Sequence, residues 1–299
     1  MWRCAGLRWR GGGPAWAWWH PEHGERSSPQ PVGSTLAFAL AHDAERRCTG
    51  VRRGSRRLPC PYAAAVPSEA RRDQCEECSA LDRSSSVAAD TRADDPQPYA
   101  VYLACFGPGL HKVGITAVAR GDARLLEQGA LAFTFLGQGP LMTARRTEAV
   151  LGAALGVPDR VRSAAKSAAR REVPPAAERE ESLRQLHASV LALRDRLPSS
   201  LGLLPLHVVD HAARFGLRPG AADRAAPVAE VTAMAPGSAL RAEVTAVVGH
   251  DLELRCPDGR VLLLDARLAS GWPLHRAAPD AVPRVLTRPL PTAVAPPLF

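Results

Sequence analysis

The chain has 299 residues, a formal net charge of +8 and a pI near 9.6. Hydrophobic residues make up 46% of it, which supports a substantial core and excludes a wholly disordered chain. The sequence lacks a run of about eighteen apolar residues and the apolar segment of a secretion signal. We therefore expect a cytoplasmic protein without a membrane partner, and the positive charge favours a polyanion as partner.

Residues 1–42 predict an N-terminal β-meander. The segments GLRWR, PAWAWWH and TLAFALA are apolar or alternate in polarity, which is typical of strands. The segments GGGP and SSPQPVGS interrupt them with residues that favour turns.

Residues 43–98 predict a Cys-rich segment followed by a linker. Four cysteines follow the pattern C-x11-C-x14-C-x2-C: Cys48, Cys60, Cys75 and Cys78. Two thiolates in QCEEC would hold one ion in a tight knuckle, and the other two would complete a tetrahedron, so we predict a structural zinc site. Buried free thiols and a redox-active CxxC pair remain alternatives. Cys4, Cys105 and Cys256 stand in apolar strand contexts and are expected in the core.

An arginine cluster falls between the first two of these cysteines and just before them. Its members are Arg46, Arg47, Arg52, Arg53, Arg56 and Arg57. A solvated basic loop is one interpretation. The other is a phosphate-binding surface that contacts nucleic acid, because arginine side chains match phosphate oxygens in geometry and charge.

Residues 99–157 predict a compact run of strand, turn, strand, helix, strand and helix. YAVYLACF and HKVGIT are separated by Gly107-Pro108-Gly109, which predicts a hairpin. ARLLEQGA is helical with Gly129 as its C-cap, LAFTFLG is a strand, and TARRTEAVLGAALG is a second helix.

This module resembles the GIY-YIG endonuclease family. VYL (101–103) and KVG (112–114) stand where that family has its two strand triplets, RLLEQ resembles its Arg-x-x-x-His helix, and ARRTE resembles the segment with its metal-binding Glu. The resemblance implies metal-dependent phosphodiesterase activity. Its site would comprise Tyr102, Lys112, Arg124 and Glu148, with magnesium or manganese held by Glu148. The chain departs from the pattern at Lys112, which replaces a Tyr, at Gln128, which replaces a His, and by two extra residues before Arg124.

The resemblance implies that the hairpin brings Tyr102 beside Gly114, whose missing side chain permits close approach. Arg124 and Glu148 are then expected to point to the same place from the two helices. Arg124 would bind a phosphate oxygen, and Tyr102 would position or activate the attacking water.

Residues 158–220 predict a helical region, and residues 221–299 predict a C-terminal β-meander with a Pro-rich tail. One helix places Leu183, Leu186, Val190, Leu193 and Leu197 on a single stripe. In the C-terminal part, LRAEVTAVVG, HDLELRCP and RVLLLDAR are predicted strands. We expect the N- and C-terminal β segments to pack together as a scaffold.

The whole chain also resembles an uncharacterised bacterial family known only as a domain of unknown function. The matching pieces are an N-terminal Gly-Leu strand, the Cys cluster, VYLA with KVGIT and RLLEQGA, and LDARLASGW. We expect an α+β protein in which a GIY-YIG-like mixed α/β module is flanked by the zinc segment, helices and β-meanders.

Three classes of function remain open from the sequence. The first is a nucleic-acid-binding protein, of DNA or RNA, with nuclease activity. The second is a zinc-containing binding module that kept the fold and lost turnover, which the absence of the helix His favours. The third is a structural or partner-binding protein, whose arginine content reflects a GC-rich genome; all but Lys112 and Lys166 of its basic residues are Arg.

Overall fold

The computed structural model describes residues 1–11, 13–53, 56–82, 96–217 and 225–291. Most of the expected linker and the end of the Pro-rich tail lie outside these ranges. The chain divides into two compact units. Unit 1 comprises Met1–Arg83 and Asp223–Phe299, and unit 2 comprises Ser84–Ala222. The sequence segments at the two ends of the chain therefore belong to one unit.

The fold is of the mixed α+β class, and strands outnumber helices in the described part of the chain. The strands are β1 Arg3–Arg10, β2 Gly13–His20, β3 Gly24–Pro29, β4 Thr35–Ala39, β5 Val51–Arg53, β6 Arg56–Leu58, β7 Tyr99–Gly107, β8 Leu110–Ala117, β9 Ala132–Gly139, β10 Gly202–Leu203, β11 Val209–Asp210, β12 Ala229–Ala233, β13 Ala239–Val248, β14 Asp251–Arg255, β15 Val261–Asp265 and β16 Leu286–Pro289. The helices are α1 Glu76–Leu81, α2 Ala123–Gln128, α3 Leu141–Leu155, α4 Ser163–Ala169 and α5 Ala176–Leu191.

Unit 1 contains two larger sheets and a small hairpin. The first sheet has the order β1-β2-β3, the second has the order β16-β12-β15-β14-β13-β4, and β5 pairs with β6. β4 pairs antiparallel with β13 through Ala39↔Ala239 and the following residues. The N- and C-terminal β segments therefore pack together, as expected.

Two details of unit 1 differ from the sequence expectations. β4 leaves the N-terminal meander and joins the C-terminal sheet, so the meander has β3 as its third strand instead. Part of the Pro-rich end forms β16, an edge strand paired with β12, where proline is tolerated because one side of an edge strand needs no ladder hydrogen bonds.

Unit 2 is built on a sheet with the order β10-β9-β7-β8, in which β11 also pairs with β9. The central strand β7 is buried along its whole length. Side chains alternate along a strand, so β7 serves two separate cores. Val101 and Leu103 pack with α3 and α5 on one face, while Tyr102 and Phe106 pack with α2 on the other.

Candidate functional site

Tyr102 and Gly114 face each other across the β7–β8 hairpin. They are partners in the antiparallel register, and the Tyr102 side chain is only 1% exposed. A Cβ atom added to Gly114 would lie 2.3 Å from the Tyr102 Oη. The close approach expected at this position is therefore present, and it is filled by the phenol ring of Tyr102 itself.

The phenol oxygen of Tyr102 accepts two hydrogen bonds. Lys112 Nζ donates to it at 3.1 Å, and Gln128 Nε2 donates at 2.8 Å. Lys112 is 9% exposed and lies on β8, so the pair is largely removed from water. A bond from an ammonium group is stronger than one between neutral groups, and burial strengthens it further. Tyr102, Lys112 and Gln128 thus form one buried polar group, which we call the phenol cluster.

Arg124 lies one helical turn before Gln128 on α2. Residues four apart share a face of a helix, so Arg124 and Gln128 lie on the same side of α2. α2 ends at Gly129, which has φ +71° and the left-handed conformation predicted for the C-cap. Arg124 is half-buried and makes no hydrogen bond or ion pair with any described residue.

Glu148 lies on α3, which packs on a different face of the unit 2 sheet from Tyr102. Its helix α3 packs through Leu141, Ala144 and Leu151 on the face of the sheet opposite Tyr102. The structure therefore brings Tyr102 and Lys112 together but does not place the helix of Glu148 on their face. Burial raises the pKa of Glu148, and the nearby charge of Lys112 opposes that shift. Among the described residues, the half-buried Glu148 carboxylate has no hydrogen-bond partner.

Two further side chains belong to the surroundings of the phenol cluster and were missed from the sequence. Thr116 lies on the same face of β8 as Lys112 and Gly114, is 1% exposed, and its hydroxyl has no hydrogen-bond partner among the described residues. Lys166 on α4 donates from Nζ to the Gln128 carbonyl at 3.0 Å and lies 3.9 Å from the centre of the Phe106 ring. A lone threonine and a lysine in an Ala-rich helix carry no local signal of such contacts.

The four cysteines predicted to bind zinc converge in unit 1. Their sulfur atoms all lie within 4.8 Å of one another, and the sulfurs of Cys60 and Cys75 are 3.9 Å apart. A tetrahedral zinc ion with Zn–S bonds of about 2.3 Å separates its sulfurs by about 3.8 Å. Cys48, Cys60, Cys75 and Cys78 can therefore hold a metal ion such as zinc.

Local structure explains how the widely spaced first pair of cysteines meets. Cys48 precedes β5 and Cys60 follows β6, so the hairpin returns the chain to its starting point. Gly50 has φ +79°, and a Cβ there would lie 1.9 Å from the Leu58 carbonyl oxygen. Cys75 and Cys78 stand at the N-terminal end and first turn of α1. The hairpin and helix supply two ligands each.

The protonation of these thiols depends on their surroundings. Burial raises the pKa of Cys48 to about 11 and also raises the pKa of Cys78. Burial acts in the same direction on Cys60, but hydrogen bonds from the backbone of Ala64 and Tyr62 and with the side chains of Cys78 and Cys48 together outweigh it and lower its pKa to about 7. Metal ions bind thiolates, so binding to Cys48 and Cys78 displaces protons and is favoured at higher pH.

The arginine cluster divides into structural and exposed members. Arg46 is 3% exposed and donates to the backbone carbonyls of Ser270, Pro67 and Ala70. Its guanidinium is therefore saturated inside unit 1, which disfavours the expected contact of Arg46 with phosphate. The sequence could not show this, because the accepting carbonyls come from distant segments.

The other five arginines of the cluster differ in their exposure and in whether they form ion pairs. Arg47 donates to the Ala63 carbonyl and pairs with Glu45. Arg57 has a buried side chain that donates to Thr49 Oγ1 at 2.7 Å, and Arg52 lies 3.6 Å from Glu25. The exposed members that make no ion pair with a described residue are Arg53 and Arg56, which are register partners on β5 and β6.

None of the helices in the described part of the chain combines the length and apolar character needed to span a lipid bilayer.

Comparison with known proteins assigns the family. No curated protein and no solved structure matches the chain. Residues 33–274 match the model of a family described as a protein of unknown function, DUF2797. This range includes the four converging cysteines, the phenol cluster and most of the C-terminal sheet. The chain therefore belongs to the DUF2797 family.

Proposed function

We propose that this protein binds nucleic acid and that unit 2 contacts phosphate through Arg124, next to the phenol cluster. The observation that carries the proposal is that Arg124 is half-buried without an anionic partner among the described residues. Leaving a guanidinium partly desolvated and unpaired costs free energy, which a bound phosphate would recover. The net charge of +8 and the exposed Arg53 and Arg56 support the same class of partner.

Binding to labelled duplex DNA, single-stranded DNA and RNA, measured by fluorescence anisotropy over a range of salt concentrations, tests this proposal. We expect affinity to fall steeply with salt and Arg124→Ala to weaken binding by about tenfold, the size of one charged hydrogen bond. Arg196→Ala is the matched control, because Arg196 is an exposed arginine of unit 2 without an ion pair among the described residues. Absence of salt-dependent binding would leave only a structural or partner-binding role.

A second candidate function is metal-dependent phosphodiester cleavage. The resemblance of VYL, KVG and RLLEQ to the GIY-YIG module suggests it, and the half-buried, unpartnered Glu148 carboxylate favours it. Glu148 would hold magnesium or manganese, which would neutralise charge near the leaving group. Arg124 would bind a non-bridging oxygen, and Tyr102 with Lys112 would position water. The packing of α3 on the sheet face opposite Tyr102 counts against this assembly.

The surroundings of the Tyr102 hydroxyl instead favour a module that binds nucleic acid without cleaving it. Its hydroxyl is enclosed by Lys112 and Gln128, so an attacking water has no direct access to it. A nicking assay on supercoiled DNA and on structured RNA, with magnesium or manganese, separates the two candidates. If the protein cleaves, Glu148→Gln abolishes cleavage and leaves binding nearly unchanged. If the wild-type protein binds but never cleaves, the non-catalytic function stands.

We also propose that the metal held by the four cysteines is zinc and that its role is structural. Four sulfur ligands fill a tetrahedral shell and leave no position open for a substrate. The zinc ion would hold the β5–β6 hairpin, which carries Arg53 and Arg56, against α1.

A further inference from the structure

Unit 1 contains a pocket of about 540 Å³, separate from the metal site and from the phenol cluster. Its lining residues come from β2 and β3, from β4 and β13, and from the segment 274–276, together with Trp2 and Gln30. Its size falls within the range of small-molecule sites in proteins. Nothing in the sequence pattern indicated it, because its walls come from opposite ends of the chain.

Tryptophan rings supply the apolar part of the pocket. Trp16 and Trp18 are two residues apart on β2 and therefore share a face, and Trp2 joins them. Trp16 Nε1 donates to Gln30 Oε1 at 3.1 Å, and Trp18 Nε1 donates to Ser28 Oγ at 2.8 Å. These bonds satisfy the polar edges of both rings and fix their orientation. Trp16 is buried, whereas the half-buried Trp18 leaves ring surface for stacking with a planar ligand.

Arginines supply the charge of the pocket. Arg26, Arg241 and Arg276 line it, and none of the three makes an ion pair with a described residue. The guanidinium carbon of Arg26 lies 4.1 Å from the centre of the Trp2 ring, in cation–π contact. The described lining residues include no Asp or Glu. The pocket is therefore electropositive, and planar guanidinium groups favour phosphate.

We infer that this pocket binds a nucleotide unit, with its base stacked on Trp18 and its phosphate held by Arg241 and Arg276. An inorganic anion would contact only the arginines, and an apolar molecule would leave the charges of the three arginines unpaired. A nucleotide would contact both the tryptophan rings and the arginines. The nucleotide unit is either free or part of a single strand. The inference does not rest on the proposed function, because it involves unit 1 and neither Arg124 nor the phenol cluster.

Isothermal titration of the full, metal-loaded chain tests the inference with four probes: adenosine monophosphate, adenosine, inorganic phosphate and a short single-stranded oligodeoxyadenylate. We expect the monophosphate to bind more tightly than adenosine or phosphate. Arg241→Ala and Arg276→Ala should each weaken it about tenfold, and Trp18→Leu should weaken it by about 5- to 100-fold. Tighter binding of the oligonucleotide than of the monophosphate would identify a single strand as the source.

Arg284→Ala is the matched control, because Arg284 is an exposed arginine of unit 1 outside the pocket and makes no ion pair with a described residue. It should leave the affinity unchanged, as should Arg124→Ala, which separates this site from the one proposed in unit 2. If Trp18→Leu fails to fold, Arg276→Ala still decides, since Arg276 is exposed. Phosphate binding as tightly as the monophosphate, no binding of any nucleotide, or full affinity in both pocket arginine variants would overturn the inference.

Discussion

At Gly114 the addition of one carbon atom is expected to disturb the phenol cluster. The Cβ of Gly114→Ala would lie 2.3 Å from Tyr102 Oη and 2.9 Å from Lys112 Nζ. The phenol must then move, in a packed interior where an added methyl group costs about 1–3 kcal/mol. We predict that the free energy of unfolding in urea falls by that amount.

Gly152→Ala is the control for this prediction. Gly152 lies within α3, and a Cβ there meets the Val157 carbonyl at an ordinary 3.5 Å. Alanine favours the helix over glycine by about 0.5–1 kcal/mol, so this variant should be stabilised. Equal stability of Gly114→Ala and the wild type would show that the phenol ring does not occupy the space above Gly114.

The half-buried Glu148 makes stability depend on pH. Burial raises its pKa in the folded protein, so the folded state binds a proton more readily than the unfolded state does. The stability that this proton supplies is complete below the unfolded pKa of about 4.3 and is lost as pH rises through the folded value. We predict that Glu148→Gln is more stable than the wild type at pH 7. Urea titrations should show this advantage disappearing near pH 4, and a constant difference would contradict it.

The sequence predicted individual site residues only where local geometry determines their position. Tyr102, Lys112 and Gly114 meet because hairpin register fixes them within a few residues of one another. Gln128 was identified only as the residue in place of the helix His, and its hydrogen bond to Tyr102 was not predicted. The burial of Arg46 could not be predicted, because it depends on carbonyls from residues 67, 70 and 270, which no short-range pattern relates to it.

At the scale of elements, the metal site determines whether β5, β6 and α1 are held together. These elements are short, and the small core around them consists mostly of the cysteines themselves with Val51 and Val66. We predict about one zinc per purified chain by elemental analysis. Chelation or Cys78→Ser should release the metal, make the remaining thiols reactive and expose the hairpin to proteases.

Cys256→Ser is the control for the metal prediction, because Cys256 is buried directly after β14 and is not one of the four cysteines that converge. It should retain zinc in full. A folded wild-type protein with no zinc and four reactive thiols would instead support the free-thiol or redox alternatives.

Elements with a strong local pattern were predicted well, and polar ones were not. The run from β7 to α3 was predicted because β7 and β8 are apolar around a Gly-Pro-Gly turn and α2 ends at a glycine. β3 was missed, since its sequence GERSSP is almost wholly exposed and has no alternation. It forms because each of its residues pairs with a residue of β2 in an antiparallel ladder.

At the scale of the whole molecule, the net charge should appear as salt dependence of nucleic-acid binding. For duplex DNA, the slope of log affinity against log salt becomes shallower by about 0.9 for each phosphate that the protein no longer neutralises. We predict that the Arg53→Ala/Arg56→Ala double variant makes the slope shallower by about 2. Arg194→Ala/Arg196→Ala removes the same charge from an exposed turn of unit 2 and should leave the slope unchanged. An unaltered slope in the Arg53→Ala/Arg56→Ala variant would indicate that these arginines reflect a GC-rich genome and do not contact phosphate.

The division of unit 1 into two separated segments has a consequence for biosynthesis. β4 emerges from the ribosome about 200 residues before its partner β13. The backbone groups of β4 that bond to β13 therefore stay unpaired while all of unit 2 is translated. Unit 2 is continuous and can fold co-translationally, and once folded it shortens the effective loop that β4 and β13 must close. Chains truncated after residue 222 and released from the ribosome should therefore show unit 2 protected from proteolysis while β4 is cleaved. A stop codon early in β13 should likewise prevent unit 1 from folding while unit 2 still folds.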